Sequence, residues 1–133
     1  MWIDPWGWVK LKNCREQYMG RTSGKKSTTG RAVIDRMRKE GRFIGDNDTG
    51  YFKSSTDGQW YSGKDADMAH LTDTVTYWNT EGGYYGLKSK EVRDFMKNPD
   101  NYELEYFRYN RSQGAKLREA YKHPDEFEKL TER

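Results

Sequence analysis

Asp67-Met68-Ala69-His70, then Tyr102-Glu103-Leu104-Glu105-Tyr106-Phe107-Arg108-Tyr109 running into Asn110-Arg111-Ser112, is the part of the chain on which the fold turns. The spacing predicts a short buried strand over 67–71, a second strand over 102–109, and a helix from Asn110 to about Tyr121. That helix has Ala115, Leu117 and Ala120 available for packing and breaks before Pro124. Two strands followed by a helix are the frame of an α+β domain.

Between the strands, Asp73 to Asn79 reads as a helical turn closed by Gly82-Gly83. A clearer helix follows over 90–96, capped by Ser89 and stopped at Asn98-Pro99. Upstream, Gly50 to Ser55, the turn Thr56-Asp57-Gly58 and Gln59 to Ser62 form a predicted β-hairpin. Before it, Thr28 or Thr29 caps a predicted helix from Arg31 to Glu40 whose Val33, Ile34 and Met37 share a face and which Gly41 ends. Residues 20–31 are small, hydroxylated and cationic, and read as a flexible basic loop. Their Gly24-Lys25-Lys26-Ser27 is like the end of a phosphate-binding loop, but Met19 stands where such a loop needs glycine. A short tail helix is predicted over 125–132.

The 133 residues suit one small domain. Only 33% are apolar and 34% are charged, so the core is small and leans on ten Tyr, five Trp and five Phe. A net charge of +3 permits contact with a polyanion without demanding it. One cysteine excludes an internal disulfide, and with two histidines it cannot build the usual Cys/His zinc site. No run is long and apolar enough for a membrane span, and the first residues lack a secretory signal pattern. A soluble domain exported by another route is expected.

Hydrolysis of a phosphodiester needs a base, a divalent ion and cations that hold the backbone. His70 suits the base, since an imidazole titrates near neutrality. Asp67, Glu105 and the Asn110 amide oxygen are hard ligands suited to Mg²⁺ or Mn²⁺. Arg108 and Arg111 flank Asn110 and can grip phosphates. Each residue also has an ordinary structural role: a hydrogen-bonded histidine, a helix cap at Asn110, solvated strand-end carboxylates at Asp67 and Glu105. The layout of acid, histidine, strand, asparagine and helix is what favours catalysis. His123, before Pro124, suits capping.

Those residues carry a resemblance. Asp67-Met68-Ala69-His70 resembles the Asp-x-Gly-His element of ββα-metal nucleases, the HNH and endonuclease VII group. Residues 60–114 are similar to its GH-E toxin branch through that element, Lys88 to Met96, Asn98 to Tyr102, Glu105 and Asn110-Arg111-Ser112. The resemblance implies a single α+β domain with a ββα-metal motif over about 60–121, decorated with helices. It makes His70 the general base, with Glu105 and Arg111 in the catalytic group, and Asp67 and Asn110 at the metal. That ion is expected to be Mg²⁺, with Mn²⁺, Ni²⁺ or Zn²⁺ as substitutes. Two departures stand out: Ala69 replaces the family's glycine, a strained choice if a positive φ is needed there, and Gln113 stands where relatives often have histidine.

Ile3-Asp4-Pro5-Trp6-Gly7-Trp8 resembles the Asp-Pro-x-Gly-hydrophobic signature that closes the core of Rhs polymorphic toxins. The resemblance implies that residues 1–8 are the end of an Rhs shell and that 9–133 are a monomeric toxin. Such toxins are delivered into the cytoplasm of target bacteria, often by type VI secretion, and are neutralised by a cognate immunity protein. The expected substrate is DNA, held by Lys25, Lys26, Arg31, Arg108 and Lys116. The alternatives are an RNase toxin, a non-catalytic nucleic-acid-binding module that uses the basic loop and tyrosine stacking, and a toxin acting on a substrate other than nucleic acid.

Overall fold

A computed structural model describes residues 8–117 and 120–127. The chain is α+β, in the order α1 (Trp8–Met19), α2 (Thr28–Lys39), β1 (Phe43–Ile44), β2 (Tyr51–Lys53), β3 (Trp60–Ser62), β4 (Ala66–His70), α3 (Thr74–Tyr77), a π-helical stretch (Trp78–Gly82), α4 (Gly83–Tyr85), α5 (Lys90–Lys97), β5 (Tyr102–Tyr106) and α6 (Phe107–Leu117). The described residues divide into two compact units, 22–71 with 97–117, and 8–21 with 72–96 and 120–127. Of the Rhs-like leader, residues 1–8, all but Trp8, which opens α1, lie outside the described residues, as does the tail from 128 onward.

In the first unit, β1, β2 and β3 form an antiparallel sheet, and β4 pairs antiparallel with β5. Their apolar side chains meet α2. Val33, Ile34 and Met37 are buried with Phe43, Phe52, Met68, Tyr102 and Leu104. Each such large side chain contributes about 1.5–3 kcal/mol by leaving water. Arg36 ties α2 to the other side of the core, donating to the carbonyls of Pro99 and Tyr102.

Residues 20–31 are not the flexible loop that their composition suggests. Ser27, rather than a threonine, caps α2, its hydroxyl accepting from Gly30 N at 3.0 Å. The helix therefore starts three residues earlier than predicted, and Thr29 and Gly30 are buried. The carbonyls of Gly24 and Lys25 lie over Gly30 so closely that a Cβ would sit 2.2 Å from the Lys25 oxygen. Lys25 Nζ donates to Gly63 O at 3.0 Å, and the segment is held against the sheet.

The hairpin between β2 and β3 has a longer connection than an Asp-Gly turn. Ser54 closes it, its N–H donating to Gln59 O and its hydroxyl accepting from Thr56 N at 3.1 Å. β5 stops at Tyr106, three residues short of the expected end, because the Tyr106 N–H is taken by the Glu105 carboxylate at 2.7 Å and α6 begins at once. Residues 120–123 are not helical, so this helix does not continue to Tyr121 as its spacing predicted.

In the second unit, Tyr77 stacks flat on Phe95 with centroids 3.8 Å apart, and Tyr18 stacks on Trp78 at 5.0 Å. Met19, Val92, Met96 and Phe127 complete this core. Gly82 and Gly83 do not end the helical run, which passes through both and stops at Gly86, where φ is +101°. The two glycines instead make room for rings: a Cβ at Gly83 would lie 2.0 Å from Phe127. The polar helix α1, whose sequence shows no apolar stripe, was not anticipated. His123 caps a 3-10 turn at Pro124–Glu126, accepting from Asp125 N at 3.1 Å.

Candidate functional site

The β4–β5 register sets Asp67 opposite Glu105, Ala69 opposite Glu103 and His70 opposite Tyr102. Side chains alternate along a strand, so Ala66 and Met68 face the core with Tyr102 and Leu104, while Asp67, Ala69, Glu103 and Glu105 share the other face. His70, three positions from Asp67, points to the face opposite it. Its ring packs against Tyr102, with centroids 4.4 Å apart. A spacing of three gathers side chains on a helix and separates them on a strand. Ala69 needs no unusual backbone: among the described residues outside glycine, only Lys88 has a positive φ.

Asp67 is where the predicted residues converge. Its Oδ2 accepts from Arg111 Nε at 3.1 Å and from Asn110 Nδ2 at 3.1 Å, and Arg111 Nη2 donates to Oδ1 at 3.2 Å. The strand ends early, so Asn110 is the fourth residue of α6 rather than its cap. Its amide therefore reaches across to β4. Arg111 lies over the Phe107 ring at 5.1 Å, and the exposed Arg108 lies over the same ring at 5.7 Å.

Glu105 is not a solvated strand-end carboxylate. Only 3% exposed, it accepts from Thr56 Oγ1 at 3.0 Å and from the Tyr106 N–H, with the Ser55 hydroxyl also 3.0 Å away. Beside it, Glu103 pairs with Arg42 at 2.8 Å. The Ser55 and Thr56 bonds fasten the hairpin connection to β5. Asp57 fastens the same connection to α6, its Oδ2 accepting from the Tyr61 and Tyr109 hydroxyls, the latter at 2.8 Å.

The Tyr61 hydrogen bond, helped by the Gln59 N–H and Tyr109, holds the Asp57 carboxyl below its ordinary range. The same bond pushes the Tyr61 phenol well above its own. A carboxylate whose folded pKa is depressed adds stability above its unfolded pKa and loses it as pH falls through the folded value. Tyr109→Phe is therefore expected to raise the Asp57 midpoint, read by NMR of the side-chain carboxyl, while leaving the fold intact.

An open groove of about 370 Å³ runs past Asp67, lined by Lys25, Lys64, Asp65, Phe107 and Arg111. A deeper cavity of about 580 Å³ shares Lys25 and Lys64 with it and adds Lys26 and Arg31. Three of the cations expected to hold nucleic acid thus gather along one path, joined by Arg111. Arg108 lines neither space, and the Lys116 side chain lies outside the described residues. Lys64 was missed: in a chain so rich in charge, a single lysine carries no signal until the fold sets it beside Asp67.

Among the described residues, no three His, Cys, Asp or Glu side chains gather closely enough to hold a metal. Asp67 and Asn110 alone suit a hard cation that keeps most of its water, as Mg²⁺ does. Turned about its last torsion, the Asn110 amide would set its oxygen where Nδ2 stands beside Asp67. Arg111 shares both Asp67 oxygens, so ion and guanidinium compete for them. No protein-family model matches this chain, and no characterised protein or solved structure matches it significantly. No described helix is long and apolar enough to cross a membrane.

Proposed function

We propose that this protein is a metal-dependent nuclease that hydrolyses phosphodiester bonds, DNA before RNA. The observation that carries the reading is a clamped carboxylate, Asp67, in an open groove whose cations are Lys25, Lys64 and Arg111. Cations facing a cleft attract a polyanion, and a carboxylate among them has a use if it helps to hold a divalent ion. Asp67 and Asn110 would hold that ion, whose chemistry is to neutralise charge on the phosphate. Arg111 and the lysines hold the phosphate oxygens. Water adds to phosphorus, the bond to the leaving oxygen breaks, and that oxygen takes up a proton.

The antiparallel pair β4–β5 running directly into α6 supports a ββα arrangement, and the sequence resemblance supports the toxin setting. In that setting the domain is a monomer carried by an Rhs shell. It is delivered into the cytoplasm of target bacteria and blocked by a cognate immunity protein. The base role of His70 rests on the resemblance alone, since β4 turns this side chain away from Asp67.

The test is degradation of plasmid DNA, and separately of RNA, with Mg²⁺, Mn²⁺, Ni²⁺ or Zn²⁺ and with EDTA. Cleavage is expected with a divalent ion and none with EDTA. Binding without cleavage under every metal would leave a nucleic-acid-binding module instead. His70→Ala is the separate arm for the base: a drop of about 10² or more at unchanged DNA affinity supports that role. Full retention of cutting removes it.

A further inference from the structure

An antiparallel sheet with one face in water turns apolar side chains inward and polar ones outward. The sheet β1–β2–β3 departs from this. Phe43, Phe52 and Tyr61 face the core, and the outward side chains are Ile44, Tyr51, Lys53, Trp60 and Ser62. Three of these are large and apolar, and Ile44, Tyr51 and Trp60 stay 56%, 52% and 43% exposed. In a chain with only 33% apolar residues, a tryptophan and a tyrosine left in water are rings withheld from a small core.

Strand pairing fixes the pattern of this face. Tyr51 lies between Ile44 and Ser62, and Lys53, two residues along β2, lies opposite Trp60. Tyr51 and Trp60 are therefore diagonal neighbours, about 7–8 Å apart along the backbone, with Lys53 beside both. No carboxylate holds an outward position of the strands, and the exposed Lys53 has no ion-pair partner among the described residues. Arg42, across from Lys53, is already taken by Glu103.

Two accessible rings beside an unpaired ammonium suit a ligand with flat π faces and a negative backbone. As a contact between two copies the patch is small, since a stable interface buries roughly 800 Å² on each partner. It also adjoins the groove: β3 ends at Ser62, and Lys64 follows two residues later.

We infer that this sheet face is a stacking platform for unpaired bases of a single-stranded nucleic acid. Tyr51 and Trp60 each take the face of one base, and Lys53 takes a phosphate between them. A duplex covers its base faces by stacking them on each other, so the platform favours single strands. The inference rests on the nuclease reading for its class of ligand, and its test does not depend on cleavage.

The experiment measures binding in EDTA by fluorescence anisotropy, using a short single-stranded oligonucleotide, its duplex, and the same strand made abasic. Trp60→Thr and Tyr51→Thr keep a β-branched residue in each strand. Each is expected to weaken the base-bearing strand about tenfold, as loss of one stacked base would, and to leave the abasic strand nearly unchanged. Lys53→Glu should weaken both strands and lower the salt dependence. Circular-dichroism melting checks that each variant folds, and Tyr51→Thr answers alone if Trp60→Thr does not. Equal affinity of the parent for base-bearing and abasic strands overturns the inference. So do folded ring variants that bind the base-bearing strand as the parent does, or that lose as much on the abasic one. A parent that sediments as a dimer and turns monomeric on Trp60→Thr, with oligonucleotide binding unchanged, makes the face a contact between copies and overturns it too. A protein that shows the ring-dependent binding but never cuts with any metal defeats the nuclease reading and leaves this one standing. One that cuts without that binding defeats this one alone.

Discussion

Replacing Asp67 by alanine is expected to lower phosphodiester cleavage about a hundredfold or more while the protein stays folded. The carboxylate is the shared anchor of Asn110 and Arg111, so its loss releases both from β4 together. A hundredfold corresponds to roughly 2.7 kcal/mol of transition-state stabilisation. Stability should hardly change. The Arg111 side chain is 69% exposed, and such ion pairs contribute at most about 1 kcal/mol. Asp67→Asn keeps the shape without the charge and should lose nearly as much activity. Initial rates on plasmid DNA, beside circular-dichroism melting, separate the two effects. Cutting by Asp67→Ala within a fewfold of the parent would remove this carboxylate from the reaction.

Gly30→Ala is expected to destabilise the protein more than any conservative surface change, by about 3 kcal/mol or more, or roughly 10 °C in melting temperature. Alanine normally favours a helix over glycine. Here the added Cβ would meet the Lys25 and Gly24 carbonyls at 2.2 and 2.4 Å, and backbone cannot rotate away as a side chain can. Segment 24–27 would have to lift, taking with it the Ser27 cap and the Lys25 contact to Gly63. Phosphate binding in the groove should weaken in proportion. Gly24→Ala, where the same atom meets nothing, serves as the control. Similar melting for the two variants would mean that the segment moves without cost.

The elements with strong periodic or punctuation signals were legible. Val33, Ile34 and Met37 mark the buried face of α2, Ser89 and Asn98-Pro99 bracket α5, and alternation marks β5. Their boundaries were less so, because they turn on which nearby N–H a side chain captures, at Ser27 and Glu105, and on a left-handed backbone at Gly86, and residue type alone settles neither. Ser27 outcompetes two threonines by its place over Gly30, and the Glu105 carboxylate ends its own strand by taking the next N–H. Gly82-Gly83 read as a stop and proved to be space for rings, a distinction visible only when Tyr77 and Phe127 are in place.

Sequence alone determined the composition of the candidate site: a carboxylate and a histidine on one strand, a glutamate on the next, and an asparagine and an arginine on the following helix. Tertiary structure decided which of them meet. Strand pairing put Asp67 and Glu105 on one face and turned His70 to the other, and the early start of α6 carried Asn110 and Arg111 across to Asp67. It also sank Glu105 beneath the hairpin connection and drew Lys64 to the groove. The physical reason is that residue type fixes what a side chain can do. Which groups share a face follows from alternation, register and the point where strand gives way to helix, and those depend on contacts distant in sequence.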